Sequence, residues 1–198
     1  MLSRPQVEIV RYRQMVTRQD CDNEFDNIAA VYAWFLDLTL SPTVLGSEES
    51  FVDTILQLFD NPLSEKRESH IPPFYEVGLT IKAKEPSSNK TEALRQYAKD
   101  ENIRQEIGSA LEAMTFWQVP LYIGKTHRLA DRVWEHVNRD TDLANRLEKA
   151  GLDIQRCLLA YVPILYLDDE YADLMPLEQL VEDIITRLST PGFVRRIG

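Results

Sequence analysis

Tyr122, Lys125, Arg128, Arg132 and His136 fall within the short stretch Leu121-Tyr122-Ile123-Gly124-Lys125-Thr126-His127-Arg128-Leu129-Ala130-Asp131-Arg132-Val133-Trp134-Glu135-His136. A phenol, an imidazole and several cations are the groups needed to hold a phosphate, stabilise charge growing on its oxygens and move a proton. Arg128, Arg132 and His136 recur every four residues, so on a helix they stack as one polar row. Leu129, Val133 and Val137 form an apolar stripe beside that row, with Ala130 and Trp134 next to it. The stretch reads as a short strand that turns through Gly124 into an amphipathic helix. That geometry brings the phenol, the guanidinium and the imidazole to one mouth.

Two plainer readings compete. Gly124-Lys125-Thr126 suggests a phosphate-binding P-loop, but that motif needs a glycine five residues before Gly124, where Val119 stands. The P-loop is excluded. An ordinary helix with a solvated basic edge, Arg132 pairing with Glu135 or Asp131, stays open.

Tyr122-Ile123-Gly124, followed by Leu129, by Arg132 ten residues after the tyrosine and by His136 fourteen after it, resembles the second half of the GIY-YIG nuclease signature. The resemblance implies cleavage of nucleic-acid phosphodiesters with one divalent metal, on a small three-stranded sheet flanked by helices. The first tyrosine of such a signature has its best match in Ala30-Val31-Tyr32, with alanine in place of glycine. Tyr75, in Phe74-Tyr75-Glu76-Val77-Gly78, competes, but the neighbours of Tyr32 fit a first core strand better. The family's metal-binding glutamate lies on a late helix about nine residues before a proline. Glu182 stands nine before Pro191, and Glu178 is one turn earlier. The asparagine that usually follows that proline has no counterpart in Pro191-Gly192-Phe193-Val194-Arg195-Arg196. The resemblance therefore implies catalytic roles for Tyr32, Tyr122, Arg132 and His136, and Mg²⁺ or Mn²⁺ on Glu182. Lys125, Arg128 and Arg139 would face a DNA substrate. The expected activity is a metal-dependent DNA endonuclease in restriction or defence against mobile elements. The alternative is an inactive module of the same fold that binds nucleic acid or a protein partner, and a homodimer is open in either case.

At 198 residues the chain fits a single domain with a sizeable core. No apolar run approaches the roughly 20 residues of a membrane span, so no membrane partner is expected. The start Met-Leu-Ser-Arg-Pro lacks a signal-peptide core, which points to the cytoplasm. Cys21 and Cys157 match no metal-ligand spacing and read as reduced thiols. The net charge of −10 opposes non-specific binding to phosphates. The balance is −7 up to Gln118 and −3 from Val119 onward, so the acidity is concentrated away from the suspected site.

Around these residues the periodicities predict a short strand near Val7 and Ile9 and a strand over Ala29 to Leu38. A helix capped by Ser47 or Ser50 and ending near Asn61-Pro62 follows, then a loop from Leu63 to Pro73. Tyr75, Val77, Leu79 and Ile81 alternate as a strand, and a helical stretch runs to about Thr115. Beyond the central unit come a polar helix over Leu143 to Ala150, ended by Gly151, and a strand over Arg156 to Val162. Asp168-Asp169-Glu170 reads as a solvated loop. Leu177, Leu180, Val181, Ile184, Ile185 and Leu188 mark an amphipathic helix with Pro176 in its first turn. The expected architecture is α/β of the α+β kind: a small three-stranded sheet flanked by helices, one domain over 1–198. Residues 45–117 form a helix–strand–helix insertion between the first two core strands.

Overall fold

The computed structural model describes residues 6–59, 66–71, 75–80, 86–149, 151–164 and 176–189. Asp168-Asp169-Glu170 and the segment around Pro191 lie outside the described residues. The strands are β1 (Glu8–Arg11), β2 (Ala30–Leu36), β3 (Lys66–Ile71), β4 (Tyr75–Thr80), β5 (Tyr122–Thr126) and β6 (Cys157–Pro163). The α-helices are α1 (Arg18–Glu24), α2 (Pro42–Leu45), α3 (Glu48–Phe59), α4 (Ser88–Tyr97), α5 (Glu101–Ala113), α6 (Leu129–Val137), α7 (Asp142–Lys149) and α8 (Leu177–Ser189). The chain divides into two compact units, Met1–Asp37 with Phe116–Gly198, and Leu38–Thr115. No helix among the described residues is long and apolar enough to cross a membrane.

The first unit is built on an antiparallel sheet in the order β1-β6-β2-β5. It has four strands where three are expected. The extra strand is β1, whose Val10 is buried and whose Glu8 carboxylate accepts a 2.7 Å hydrogen bond from the Tyr161 hydroxyl. Without β1, the buried strand β6 would leave a row of unpaired backbone groups at an edge. On the other side of β6 lies β2, where Tyr32 stands opposite Tyr161 on β6 and Gly124 on β5, and Trp34 opposite Leu159 and Tyr122. Cross-strand partners share a face, so Tyr32, Trp34, Tyr122 and Gly124 all point the same way.

Helix α6 covers that face. Leu129, Ala130, Val133 and Val137 are buried, as their helical spacing requires. The short helix α1 packs against α6 and has no comparable sequence signal, since Cys21 is its one buried residue. It is held by a capping box between Thr17 and Asp20 and by Arg18, which donates to Asp131 of α6 at 2.6 Å. Cys21 and Cys157 are both free and buried, and burial pushes their thiols up to about 11 and about 12.

Helix α8 packs against β5 and β2, but not with the expected face. Glu178 and Thr186 are 1% and 2% exposed, whereas Leu180, Ile184 and Leu188 are 48%, 48% and 79% exposed. The polar row at positions 178, 182 and 186 can be turned inward because its groups find partners. His127 Nε2 meets Glu178 Oε1 at 3.1 Å, and Thr186 Oγ1 donates to Glu182 Oε1 at 3.1 Å.

The second unit gathers Leu40, Phe51, Val52, Ile55 and Ala98 into its own apolar cluster. Residues 66–71, expected as a loop, form β3 and pair antiparallel with β4. The sequence Lys-Arg-Glu-Ser-His-Ile carries little alternation of its own, so it is the partner strand that specifies the hairpin. The expected helix up to Thr115 is broken at Asp100, whose side chain accepts from Asn102 N and starts α5. The buried Arg104 donates to Leu45 O and Ala98 O, each at 2.6 Å, satisfying carbonyls where α2 and α4 end. The segment is thus helices around a hairpin, not helix–strand–helix.

Candidate active site

The sheet brings Tyr32 to the middle of β2 and Tyr122 to the start of β5, with their ring centroids 6.2 Å apart. The close approach is possible because Gly124 lies beneath them. A Cβ at Gly124 would meet Tyr32 Cζ and Oη at 2.6 Å and Tyr122 Cε1 at 2.7 Å. The glycine of Tyr-Ile-Gly is therefore a packing requirement of two aromatic rings, not a turn residue. The strand β5 continues through it to Thr126.

Helix α6 delivers the remaining groups. Arg132 Nε donates to Tyr32 Oη at 3.2 Å, and Tyr32 Oη lies 2.8 Å from His136 Nε2. His136 Nδ1 lies 2.7 Å from Thr141 Oγ1. With Tyr32 donating to Nε2, the imidazole carries its proton on Nδ1 and donates it to Thr141. Trp34 and Tyr122 close on the imidazole with ring centroids at 5.9 and 5.6 Å. Both Tyr32 and His136 are 1% exposed.

Burial dictates the protonation of this pair. It pushes the Tyr32 phenol up, with the neighbouring Tyr122 acting in the same direction and Arg132 against it. Burial and then the Arg132 charge push His136 down to about 3. The resting pair is neutral phenol and neutral imidazole. Stability should respond accordingly. An unfolded histidine takes up a proton near pH 6.5 and the folded one does not until about pH 3, so the unfolded chain binds more protons in between. The stabilisation is complete above pH 6.5 and is lost as pH falls toward 3, by about 1.4 kcal/mol per unit at most. Urea melts at pH 7 and pH 4.5 should show this loss, and His136→Gln should reduce it. An equal loss in that variant would assign the acid sensitivity to other groups.

Arg132 also donates through Nη1 to Glu135 Oε2 at 2.6 Å, the pairing that the plain solvated-helix reading foresees. Both interactions are present, one arm to the carboxylate and the other to the phenol. Arg128, at the start of α6, is exposed and bonded to Asp131 Oδ2 at 2.7 Å. Asp131 also takes Arg18 and Asn27, and these hydrogen bonds, Arg18's foremost, hold its carboxyl below the usual range. Lys125 alternates to the opposite face of β5 from Tyr122 and Gly124, and its charge acts on Glu182. Arg139 is exposed in the turn after α6.

Glu182 is half-buried, and burial raises its carboxyl, with the Thr186 hydrogen bond and Lys125 acting the other way. None of the described hydrogen bonds or ion pairs joins Glu182 to Tyr32, Tyr122, Arg132 or His136. Glu178 is the more deeply buried of the two, and its carboxylate meets His127. Among the described residues no group of three or more His, Cys, Asp or Glu side chains could hold a metal ion. Tyr75 lies on β4 in the second unit.

Sequence reasoning missed Thr141. It lies beyond the end of α6, and its hydroxyl reaches His136 only because the chain reverses at Asn138 and Arg139, with Asp140 N bonded back to Glu135 O at 2.9 Å. No helical periodicity extends through that reversal, so the spacing carried no signal.

Comparison with protein-family models, with curated proteins and with solved structures finds no match to this chain. What the structure defines is a class: a mixed α/β chain on a four-stranded antiparallel sheet. On one sheet face a chain of hydrogen bonds runs from the half-buried Arg132 through the buried Tyr32 and His136 to Thr141.

Proposed function

We propose that this chain is a metal-dependent endonuclease of the GIY-YIG kind, hydrolysing DNA phosphodiester bonds in the cytoplasm, in restriction or defence against mobile elements. The observation that carries the reading is the contact of Tyr32 Oη with both Arg132 and His136, beside Tyr122. In hydrolysis a water oxygen attacks phosphorus, the bond to the leaving oxygen breaks, and the water's proton must go elsewhere. Tyr32 takes that proton as it passes its own to His136 Nε2, so no free phenolate has to accumulate. The imidazolium so formed keeps its Nδ1–H on Thr141. Burial and Arg132 disfavour that cation in the resting protein. A phosphodiester anion docked against Arg132 supplies the opposite charge that relieves both. Tyr122 orients the water or the phosphate from the other side.

Glu182 suits a hard divalent cation in the one-carboxylate mode, in which substrate oxygens and waters complete the shell. Burial raises its carboxyl, and a cation beside it would act in the same direction as Lys125, favouring the carboxylate. When bound, Mg²⁺ or Mn²⁺ supplies Lewis-acid polarisation of a phosphate oxygen. The test is incubation of the purified protein with supercoiled plasmid, with and without Mg²⁺ or Mn²⁺. Metal-dependent nicking is expected, and Glu182→Gln should lower it by at least about a hundredfold while melting near the wild-type temperature. Equal rates would make Glu182 an ordinary helix-surface carboxylate.

A second reading, an inactive module binding nucleic acid or a protein, is favoured by two observations: Tyr32 is 1% exposed, and Arg132 is engaged by Glu135. Absence of nicking on duplex, branched and single-stranded substrates alike would select it.

A further inference from the structure

Helix α8 shows water the face that a surface helix normally hides. Every exposed side chain described on it is apolar: Leu177, Leu180, Ile184, Ile185 and Leu188, between 41% and 79% exposed. Its acidic groups lie elsewhere. Glu178 is buried, and Glu182 and Asp183 are half-buried. The five apolar side chains leave on the order of 400 Å² of surface in water, a patch of the size that marks an interaction site on a monomer. The rotation that sets Glu178 and Thr186 against the sheet gives up the burial of these leucines and isoleucines unless something else covers them.

Charge and spacing select a second copy of this chain as the cover. The chain carries a net charge of −10, so two copies repel each other over most of their surface. Among its described side chains the outer face of α8 presents none of that charge, which leaves it a place where two copies can touch. A cationic partner would find nothing to pair with on this face. The apolar positions 177, 180, 181, 184, 185 and 188 follow intervals of three, one, three, one and three, which read the same in both directions. Laid antiparallel about a two-fold axis midway between 182 and 183, Leu177 meets the partner's Leu188, Leu180 the partner's Ile185, and Val181 the partner's Ile184. One patch then serves both subunits, as a two-fold dimer requires. Two such patches bury on the order of 800 Å², less than the roughly 1,200–2,000 Å² of a standard interface, so the dimer is a weak one.

We infer that α8 is the interface of a reversible homodimer, two copies packing antiparallel through Leu177, Leu180, Ile184, Ile185 and Leu188. The dimer does not depend on the nuclease reading. Sedimentation equilibrium of the full chain tests it. The wild type should dimerise in the micromolar range, and more tightly as salt rises, since salt screens the repulsion between two acidic chains. Ile184→Glu should weaken association at least about tenfold. The dilute variant should melt as the dilute wild type does, because this side chain is already in water. Oxidation of cysteine variants tests the register, Cys21 and Cys157 being buried. About the two-fold axis the two 184 positions lie about 4.5 Å apart along the helices, and the two 188 positions about 16 Å apart. Ile184→Cys should therefore cross-link and Leu188→Cys should not. A wild type that stays monomeric through the micromolar range overturns the inference. So does a dilute Ile184→Glu protein that melts at a lower temperature, for the face would then be covered from within its own chain. Cross-linking through Leu188→Cys alone would mean a parallel pair, and a dimer that loosens as salt rises an ionic interface; either overturns it as well.

Discussion

Tyr32→Phe is expected to lower metal-dependent plasmid nicking by at least about a hundredfold while leaving a folded protein. The change deletes the one atom that touches both Arg132 Nε and His136 Nε2 and leaves the ring in its place. It also leaves a buried imidazole nitrogen without its partner, which costs about 1–3 kcal/mol. At about 2–4 °C per kcal/mol for a chain of this size, the melting temperature should fall visibly but not collapse. Arg132→Ala should produce a similar loss of nicking through the phosphate contact, with a smaller stability change because that side chain is partly exposed. The pair Tyr32→Phe with His136→Gln offers the sharper measurement. If the two act as one relay, the double variant nicks no more slowly than the slower single variant. Multiplicative losses, or a Tyr32→Phe protein that nicks at the wild-type rate, would remove Tyr32 from the chemistry.

Gly124→Ala should be the most damaging single-methyl change in the site. The new Cβ would lie 2.6 Å from Tyr32 Cζ and Oη and 2.7 Å from Tyr122 Cε1. Neither ring is the free end of a flexible chain, and Tyr32 is bonded to Arg132 and His136. Relief requires the rings or the strand to move, at about 1–3 kcal/mol. Calorimetry should record a fall of about 3–10 °C in the melting temperature. The displaced phenol should also slow nicking by about a hundredfold, because reacting groups tolerate little misplacement. Wild-type stability in this variant would mean that the two rings do not close over Gly124 in solution.

Within β5 and α6 the residue pattern alone carried several relations of the candidate site. A period of four put Arg132 and His136 on one side of a helix, with Tyr122 on the strand before it, whereas Gly124, expected as the turn, continues that strand. Those are local relations, and covalent geometry enforces them wherever the strand and helix form. The short apolar strands β2 and β6 were legible for the same reason, since Val, Leu, Tyr and Trp in unbroken runs suit a buried sheet. The sequence offered Tyr32 and Tyr75 as rivals, and it is the pairing of β2 with β5 that sets Tyr32 opposite Gly124 and within reach of Arg132 and His136.

Relations between distant segments were decided by tertiary structure. β1 joined the sheet because β6 offered an open edge, and the weakly patterned 66–71 became a strand because β4 paired with it. The same holds for Thr141, which meets His136 only through the left-handed backbone at Arg139. Helix α8 shows the limit most clearly. Its apolar stripe is plain in the sequence, yet the polar row Glu178, Glu182 and Thr186 is the one that turns inward. Hydrophobic periodicity states which face gains most from leaving water. It does not state whether the opposite face will find His127 and an internal hydrogen bond that make burying a carboxylate tolerable. Periodicity is a property of neighbours along the chain, whereas the partners of a buried charge come from anywhere in the fold.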